Sequence, residues 1–490
     1  MLGSEILYTA QQTRALDHCA IVEHGVPGIR LMARAADAAF RHLMARWPAP
    51  ECVQVLCGTG NNGGDGFLLA ELAHKRGIPA CVLQLGDPAK ISGDALRARE
   101  AALAAGVSIM PFADQPLRDA GVLVDAMLGT GLGGDVRGDY ATAIAAVNAC
   151  DAPVLAVDIP SGLCADTGRV LGCAVRAEAT VTFIGLKRGL FTLHGADHVG
   201  ELEFSDLALP PEVYGAVNSR LSRLELAPLL QRLPRRPATA HKGMYGTVLV
   251  VGGDFGMAGA AAMAAEAALR CGAGLVRVAT RAEHVSAIVA RTPEVMPLGV
   301  ATPAELAPLL EAADVVVVGP GLGQSAWSSA LLQAVIASRK PAILDADALN
   351  MLAVGVVQGH GGCLLTPHPG EAARLLETST AEVQADRFAS AAALQEKYGC
   401  VVVLKGNGSL IVGPDEMLLS DYGNPGMASG GMGDVLSGVL GALLAQGLAP
   451  IEAAALGVCL HGAAADIAAE DGERGLAASD LAPHLRALLG

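Results

Sequence analysis

The chain has 490 residues, 52% of them hydrophobic but only 3% aromatic, and 49 acidic against 34 basic side chains give a net charge of −15. Its length exceeds what one hydrophobic core usually organises, so two domains are expected, and cores built mainly from Ala, Val, Leu and Ile suit α/β layers. The acidic balance argues against nucleic acid or an anionic membrane as the main partner, while anionic small molecules remain open because local dipoles and charges can hold them.

Short Val-rich runs alternate with Ala/Leu-rich amphipathic stretches, the grammar of βαβ units. Strands are expected at 53–57, 80–85, 121–127, 154–159 and 180–184, with helices at 66–76 and 94–105 between them. Prolines at 210–211, 234 and 237 then disfavour continuing helix or strand. The domain boundary is placed at 217–224, giving domains 1–218 and 224–490. A second strand series is expected at 247–252, 275–279, 314–319, 341–344, 362–365 and 401–405. Eleven cysteines without a Cys-x-x-Cys pair fit reduced thiols. The start lacks a basic segment leading into an apolar one, and no uncharged apolar run of spanning length occurs. A cytoplasmic protein with no membrane partner is expected.

In the first half, Gly58-Thr59-Gly60-Asn61-Asn62-Gly63-Gly64-Asp65-Gly66 follows the first strand, at the junction where α/β sheets bind ligands. Its glycines permit close backbone approach to a phosphate, while the two amides and Asp65 add donors and acceptors. The pattern is neither a dinucleotide fingerprint nor a Walker loop. Asp125 and Asp158 close two further strands. In a parallel sheet Asn62, Asp125 and Ser161 share a rim and could give oxygen ligands to a hard cation. Asp158 is then left as an acid or base, with loop capping the alternative use of either aspartate.

Residues 52–66, 122–135 and 154–162 closely resemble the epimerase domain of the NAD(P)H-hydrate repair enzymes. The resemblance implies a Rossmann-like three-layer domain that interconverts the R and S epimers of NADH hydrate and NADPH hydrate, which carry a hydroxyl on carbon 6 of the nicotinamide ring. Carried over, it implies that Asn61, Asn62, Gly63, Gly64 and Asp65 touch the hydrate, with the loop Gly129, Thr130, Gly131, Leu132, Gly133, Gly134 and Asp135, together with Tyr140 and Asp158. It also implies a potassium ion on Asn62, Asp125 and Ser161. A hydroxyl beside a ring nitrogen can leave and return on either face when an acid or base assists.

In the second half, Gly426-Met427-Ala428-Ser429-Gly430-Gly431-Met432-Gly433 leads through Asp434 into an apolar helical stretch, 435–444. Converging N–H groups and a helix dipole make this an anion cradle. A carboxylate there repels phosphate unless it serves as a base towards a hydroxyl beside a transferable phosphoryl group. Capping is the alternative. Lys405-Gly406 can bring charge and backbone donors to a nucleotide phosphate, His368 stands between two prolines, and Asp345 and Asp347 could serve magnesium through water.

This half resembles the ADP/ATP-dependent dehydratase domain of the same family, through Lys242-Gly243, Val251-Gly252-Gly253, Gly319-Pro320-Gly321-Leu322-Gly323, Thr366-Pro367-His368-Pro369-Gly370-Glu371 and Asn424-Pro425-Gly426 onward to Asp434. It implies a ribokinase-like α/β fold and a magnesium-dependent use of ADP or ATP, with ADP favoured in fused bacterial forms. Carried over, Ala258, Gly321, His368 and Asp434 contact the hydrate, while Lys405, Gly406, Asn407, Gly408, Ser409 and Gly433 bind the nucleotide. Ser429 and Met432 stand where threonine is often expected, and both keep the backbone cradle. A small-alcohol kinase would use a similar cradle but has no use for the first domain. A nucleotide-sensing binding protein is the non-enzymatic alternative. The apolar content permits a homo-oligomer.

Overall fold

A computed structural model describes Leu2 and residues 5–114 and 116–490. The chain divides into two compact units, Ile6–Ser219 and Arg220–Gly490. In the first, strands β1 (Val53–Cys57), β2 (Ala80–Gln84), β3 (Ser108–Pro111), β4 (Val122–Ala126), β5 (Val154–Val157), β6 (Ala179–Phe183) and β7 (Glu201–Ser205) form one parallel sheet in the order β3-β2-β1-β4-β5-β6-β7. Strand residues alternate between two cores, as the two-residue side-chain period requires. Val55 and Val124 face α2 (Gly28–Arg46), α3 (Asn61–Lys75) and α4 (Gly93–Ala104), while Leu56 and Leu123 face α5 (Asp139–Ala149). This is the three-layer, doubly wound arrangement, and the strand order reverses between β1 and β4. A further helix, α1 (Ala10–His18), precedes the sheet.

The polar cluster after β1 differs from expectation. Helix α3 begins at Asn61, so residues 61–65 are its first turn rather than a loop. Its glycines serve close packing: a Cβ on Gly63 would lie 2.2 Å from the Gly58 carbonyl oxygen, and one on Gly66 would lie 2.5 Å from the Ala126 Cβ.

In the second unit the strands are β8 (Leu221–Arg223), β9 (Thr247–Val251), β10 (Leu275–Thr280), β11 (Met296–Gly299), β12 (Val315–Val318), β13 (Ala342–Leu344), β14 (Cys363–Leu365), β15 (Val401–Leu404), β16 (Ser409–Val412) and β17 (Met417–Ser420). They run in the order β11-β10-β9-β12-β13-β14-β15-β16-β17-β8. Pairing is parallel as far as β15, then antiparallel through β16 and β17. Helices α6 (Ala258–Arg270), α7 (Ala346–Ala353), α8 (Pro369–Leu376), α9 (Arg387–Tyr398), α10 (Met432–Ala445) and α11 (Pro450–Ala468) cover it. By length and composition α11 could cross a membrane, yet residues 453–465 are all buried, many of them in the core of this unit. All eleven cysteines are free thiols.

The base of α10 rests on α6 at close range, and a Cβ on Gly438 would lie 2.0 Å from the Ala264 carbonyl oxygen. Backbone cannot yield there as a side chain can. Gly438→Val is therefore expected to cost about 1–3 kcal/mol or more through overpacking, seen as a melting temperature lowered by several degrees. An unchanged melting curve would contradict this packing.

Candidate active sites

In the first unit the carboxyl ends of β1, β4 and β5 open on a cavity of about 580 Å³, at the point where strand order reverses and α/β sheets take their ligands. Asn61, Asn62, Asp65, Gly129, Thr130, Gly131, Leu132, Gly133, Tyr140 and Asp158 line it. Gly63 and Gly64 are buried in the first turn of α3, and Gly134 and Asp135 are exposed and outside the lining.

Asp125 and Ser161 do not reach the cavity wall, and both are fully buried. Ser161 donates to Asp125 through its hydroxyl at 2.6 Å and its N–H at 2.7 Å, and the Met127 N–H donates at 3.2 Å. Burial pushes the Asp125 carboxyl up to about 6 against these hydrogen bonds. The Asn62 amide is buried with neither polar atom hydrogen-bonded. Such atoms are costly to leave unpaired.

Asp158 holds a left-handed backbone, φ 70°, at the end of β5, a conformation Asp tolerates better than most residues. Its carboxylate accepts from the Lys187 ammonium, whose side chain is 1% exposed. Asp65 lines the same wall, and burial together with Asp158 and Asp17 pushes it well above the usual carboxylate range, with Lys187 pulling the other way.

In the second unit α10 begins at Met432, with Gly431 in the left-handed region at the cap and no side-chain capping bond. Asp434 is thus in the first turn without serving as the cap. Lys405, at the end of β15, donates to Asp345 Oδ1 at 2.8 Å and lies 3.9 Å from Glu371 Oε2. Ser437 on α10 donates to the other Asp345 oxygen at 2.8 Å. A Cβ on Gly433 would lie 3.2 Å from Lys405 Nζ, so glycine keeps room for the ammonium.

Burial pushes the Asp434 carboxyl up, Asp345 adds to the rise and Lys405 opposes it, leaving it at about 7. Burial pushes Lys405 down, but Asp345 and Glu371 more than offset this and the net shift is upward. The arrangement is one held cation among carboxylates, with Asp434 able to take up or release a proton near neutrality.

His368 accepts from the Gly370 N–H at 3.0 Å through Nδ1 and so caps α8, a structural duty in addition to any ligand contact. Burial and Lys405 lower its pKa. Ala258 is the first residue of α6. Gly321, φ 57°, accepts from the Asp254 N–H at 2.7 Å, and the nearby Gly323 N–H donates to Asp347 at 2.8 Å. Gly406, Asn407 and Gly408 form the turn between β15 and β16, which Ser409 closes by donating to the Gly406 carbonyl at 3.0 Å.

The family described as YjeF-related protein N-terminus matches residues 28–189, and that described as NAD(P)H-hydrate dehydratase matches residues 248–486. Over 486 residues the chain is 50% identical to the bifunctional NAD(P)H-hydrate repair enzyme of Coxiella burnetii, covering 99% of each. This chain belongs to the bifunctional NAD(P)H-hydrate repair enzyme family. The Escherichia coli member is 46% identical over 468 residues, covering 95% of this chain and 90% of its own. A ribokinase-like superfamily protein from Enterococcus faecalis, 30% identical, matches 56% of this chain and 96% of its own with a TM-score of 0.52. The second unit of this repair-family member is accordingly ribokinase-like.

Two residues of this family member escaped the motifs. Lys187 is one. The other is Arg387 on α9, 1% exposed, which donates to the carbonyls of Leu404 and Lys405 at 3.4 Å and of Gly408 at 3.1 Å, holding the turn that carries Lys405. An Asp-Arg pair opening a helix reads as solvated surface, so only the fold exposes its role.

Proposed function

We propose that the first unit epimerises the R and S hydrates of NADH and NADPH, and that the second dehydrates the S hydrate at the expense of ADP or ATP, giving NAD(P)H, AMP or ADP, and phosphate. The observation that carries this reading is Asp434, uncapped in the first turn of α10, with its carboxyl poised at about 7 beside the Lys405–Asp345 pair. Asp434 takes the proton of the ring hydroxyl as the nucleotide's terminal phosphoryl group transfers to that oxygen. Hydroxide leaves poorly and phosphate leaves well, so the ring nitrogen can then expel phosphate, and loss of a proton from carbon 5 forms the carbon–carbon double bond and returns the electron pair to nitrogen. Lys405 and the 405–409 turn neutralise and seat the nucleotide phosphates, and the remainder is positioning.

Among the described residues no group of three or more His, Cys, Asp or Glu side chains is arranged to hold a metal. Magnesium fits here as an ion arriving with the nucleotide phosphates, aided by one or two carboxylates such as Asp345 and Asp347. Potassium fits the first unit: the unpaired Asn62 amide and the buried Asp125 and Ser161 offer the oxygen donors such an ion takes. Bound there, it would supply positive charge beneath the cavity.

The test is recovery of NADH absorbance from mixed hydrate epimers with ADP or ATP and magnesium. Complete recovery in two phases is expected, the S hydrate directly and the R hydrate at the rate of epimerisation; no recovery with either nucleotide would contradict the reading. Replacing potassium with N-methylglucamine is expected to slow the second phase several-fold and leave the first unchanged. Equal slowing of both phases would refute a potassium site confined to the first unit.

A further inference from the structure

Lys187 lies in the strand pair Leu186–Lys187 just after β6 and points inward. It donates to Asp158, to Thr182 Oγ1 at 2.9 Å and to the Phe183 carbonyl at 2.9 Å. The three ammonium donors are thereby spent inside the protein, and only one acceptor carries charge. Asp65 on α3 and Asp17 on helix Ala10–His18 line the same cavity, and among the described residues neither is joined to a basic side chain. Four carboxyl groups, those of Asp17, Asp65, Asp94 and Asp158, share the space with one buried ammonium, and the ammonium is committed to Asp158.

We propose that Lys187 is a positioning residue of this site, fixing Asp158 as the proton acceptor and leaving Asp65 as the proton carrier of the epimerisation. The inference rests on the epimerase reading above and assigns the two carboxyls opposite duties. Burial and the neighbouring Asp158 and Asp17 hold Asp65 towards its protonated form, with Lys187 opposing, and different surroundings for two carboxyls are how one site separates an acid from a base.

The step balances. Asp65 gives its proton to the hydroxyl on carbon 6, the carbon–oxygen bond breaks as the ring nitrogen's lone pair forms a carbon–nitrogen double bond, and water leaves. A water oxygen then bonds to carbon 6 from the other face, Asp158 takes its proton, and the electron pair returns to nitrogen. The proton passes from Asp158 back to Asp65 through water in the cavity. Arg14, Asp94 and Tyr140 also face this space, and any shift in pH dependence is read against a background they share in every variant.

The test uses the full chain and the two-phase recovery of NADH from mixed hydrate epimers, followed from about pH 6 to about pH 9. Lys187→Met is expected to slow the second phase at least about 10²-fold near neutrality, to regain much of that rate at high pH, and to leave the first phase untouched. Lys187→Arg is expected to restore part of the rate. Asp65→Asn keeps the Lys187–Asp158 pair, and is expected to lose the second phase without regaining it at high pH. A wild-type second phase in Lys187→Met or in Asp65→Asn overturns the proposal. So does a loss by one constant factor at every pH with no rescue by arginine. Absence of the second phase from the unaltered protein would instead sink the epimerase reading itself.

Discussion

Asp434→Asn is expected to abolish dehydration, by at least about 10³-fold, while nucleotide binding persists. A positioned base contributes roughly 10²–10⁴-fold, α10 carries no second acidic side chain, and the Asp345 carboxylate already accepts from Lys405 and Ser437. The pH dependence follows from the carboxyl standing at about 7 rather than its usual 3.8. Dehydration should rise with pH through about 7 as Asp434 ionises and fall away below it. Stability runs the opposite way. A carboxyl raised on folding contributes stability that is fully present below its unfolded value and lost as pH rises through the folded one. Above about pH 7 the asparagine variant, which carries no charge, should therefore melt a few degrees higher than the unaltered protein. Rate profiles and thermal unfolding across the same pH range check both halves, and a variant that is both slower and less stable at high pH would contradict them.

Lys405→Met is expected to remove dehydration and also to destabilise the second unit. The lysine leaves behind Asp345, whose side chain is 2% exposed, and Glu371, at 6%. Stripping one partner from a buried ion pair costs about 3–5 kcal/mol, because the remaining charge is left in a poor medium. Adding Asp345→Asn should return much of the lost stability without returning activity, since the two positions are directly coupled. Denaturation of the single and double variants measures this. If Lys405→Met unfolds at the wild-type midpoint, the lysine is not balancing those carboxylates.

The central strands of both sheets were legible because parallel strands buried on both faces are short, continuous apolar runs. Val53–Cys57 and the four valines of Val315–Val318 show this plainly. The strands missed are edge or meander strands such as Ser108–Pro111, Glu201–Ser205 and Met417–Ser420, whose pairing is decided by neighbours far along the chain. The sequence places the helix at 66–76, whereas it begins at Asn61; Asn and Gly are poor helix formers, and α3 packs tightly on Gly58 and Ala126 through its glycines. At the sites, motifs carried Asp434, Lys405, Asp158 and the first turn of α3 into view. Lys187 and Arg387 stayed hidden, because a buried cation is recognised only by the acceptors around it. Those acceptors stand 29 residues from Lys187 in the case of Asp158, and 21 from Arg387 in the case of Gly408.

The most direct measurement follows the oxygen. S hydrate labelled with heavy oxygen at the carbon 6 hydroxyl is turned over with ADP and magnesium by the Asp158→Asn variant, in which the first unit cannot wash out the label. Phosphoryl transfer to the ring hydroxyl requires that the label emerge in inorganic phosphate, one atom for each NADH recovered. Label appearing in water, with unlabelled phosphate, would mean that the hydroxyl leaves without being phosphorylated and would contradict the role given to Asp434.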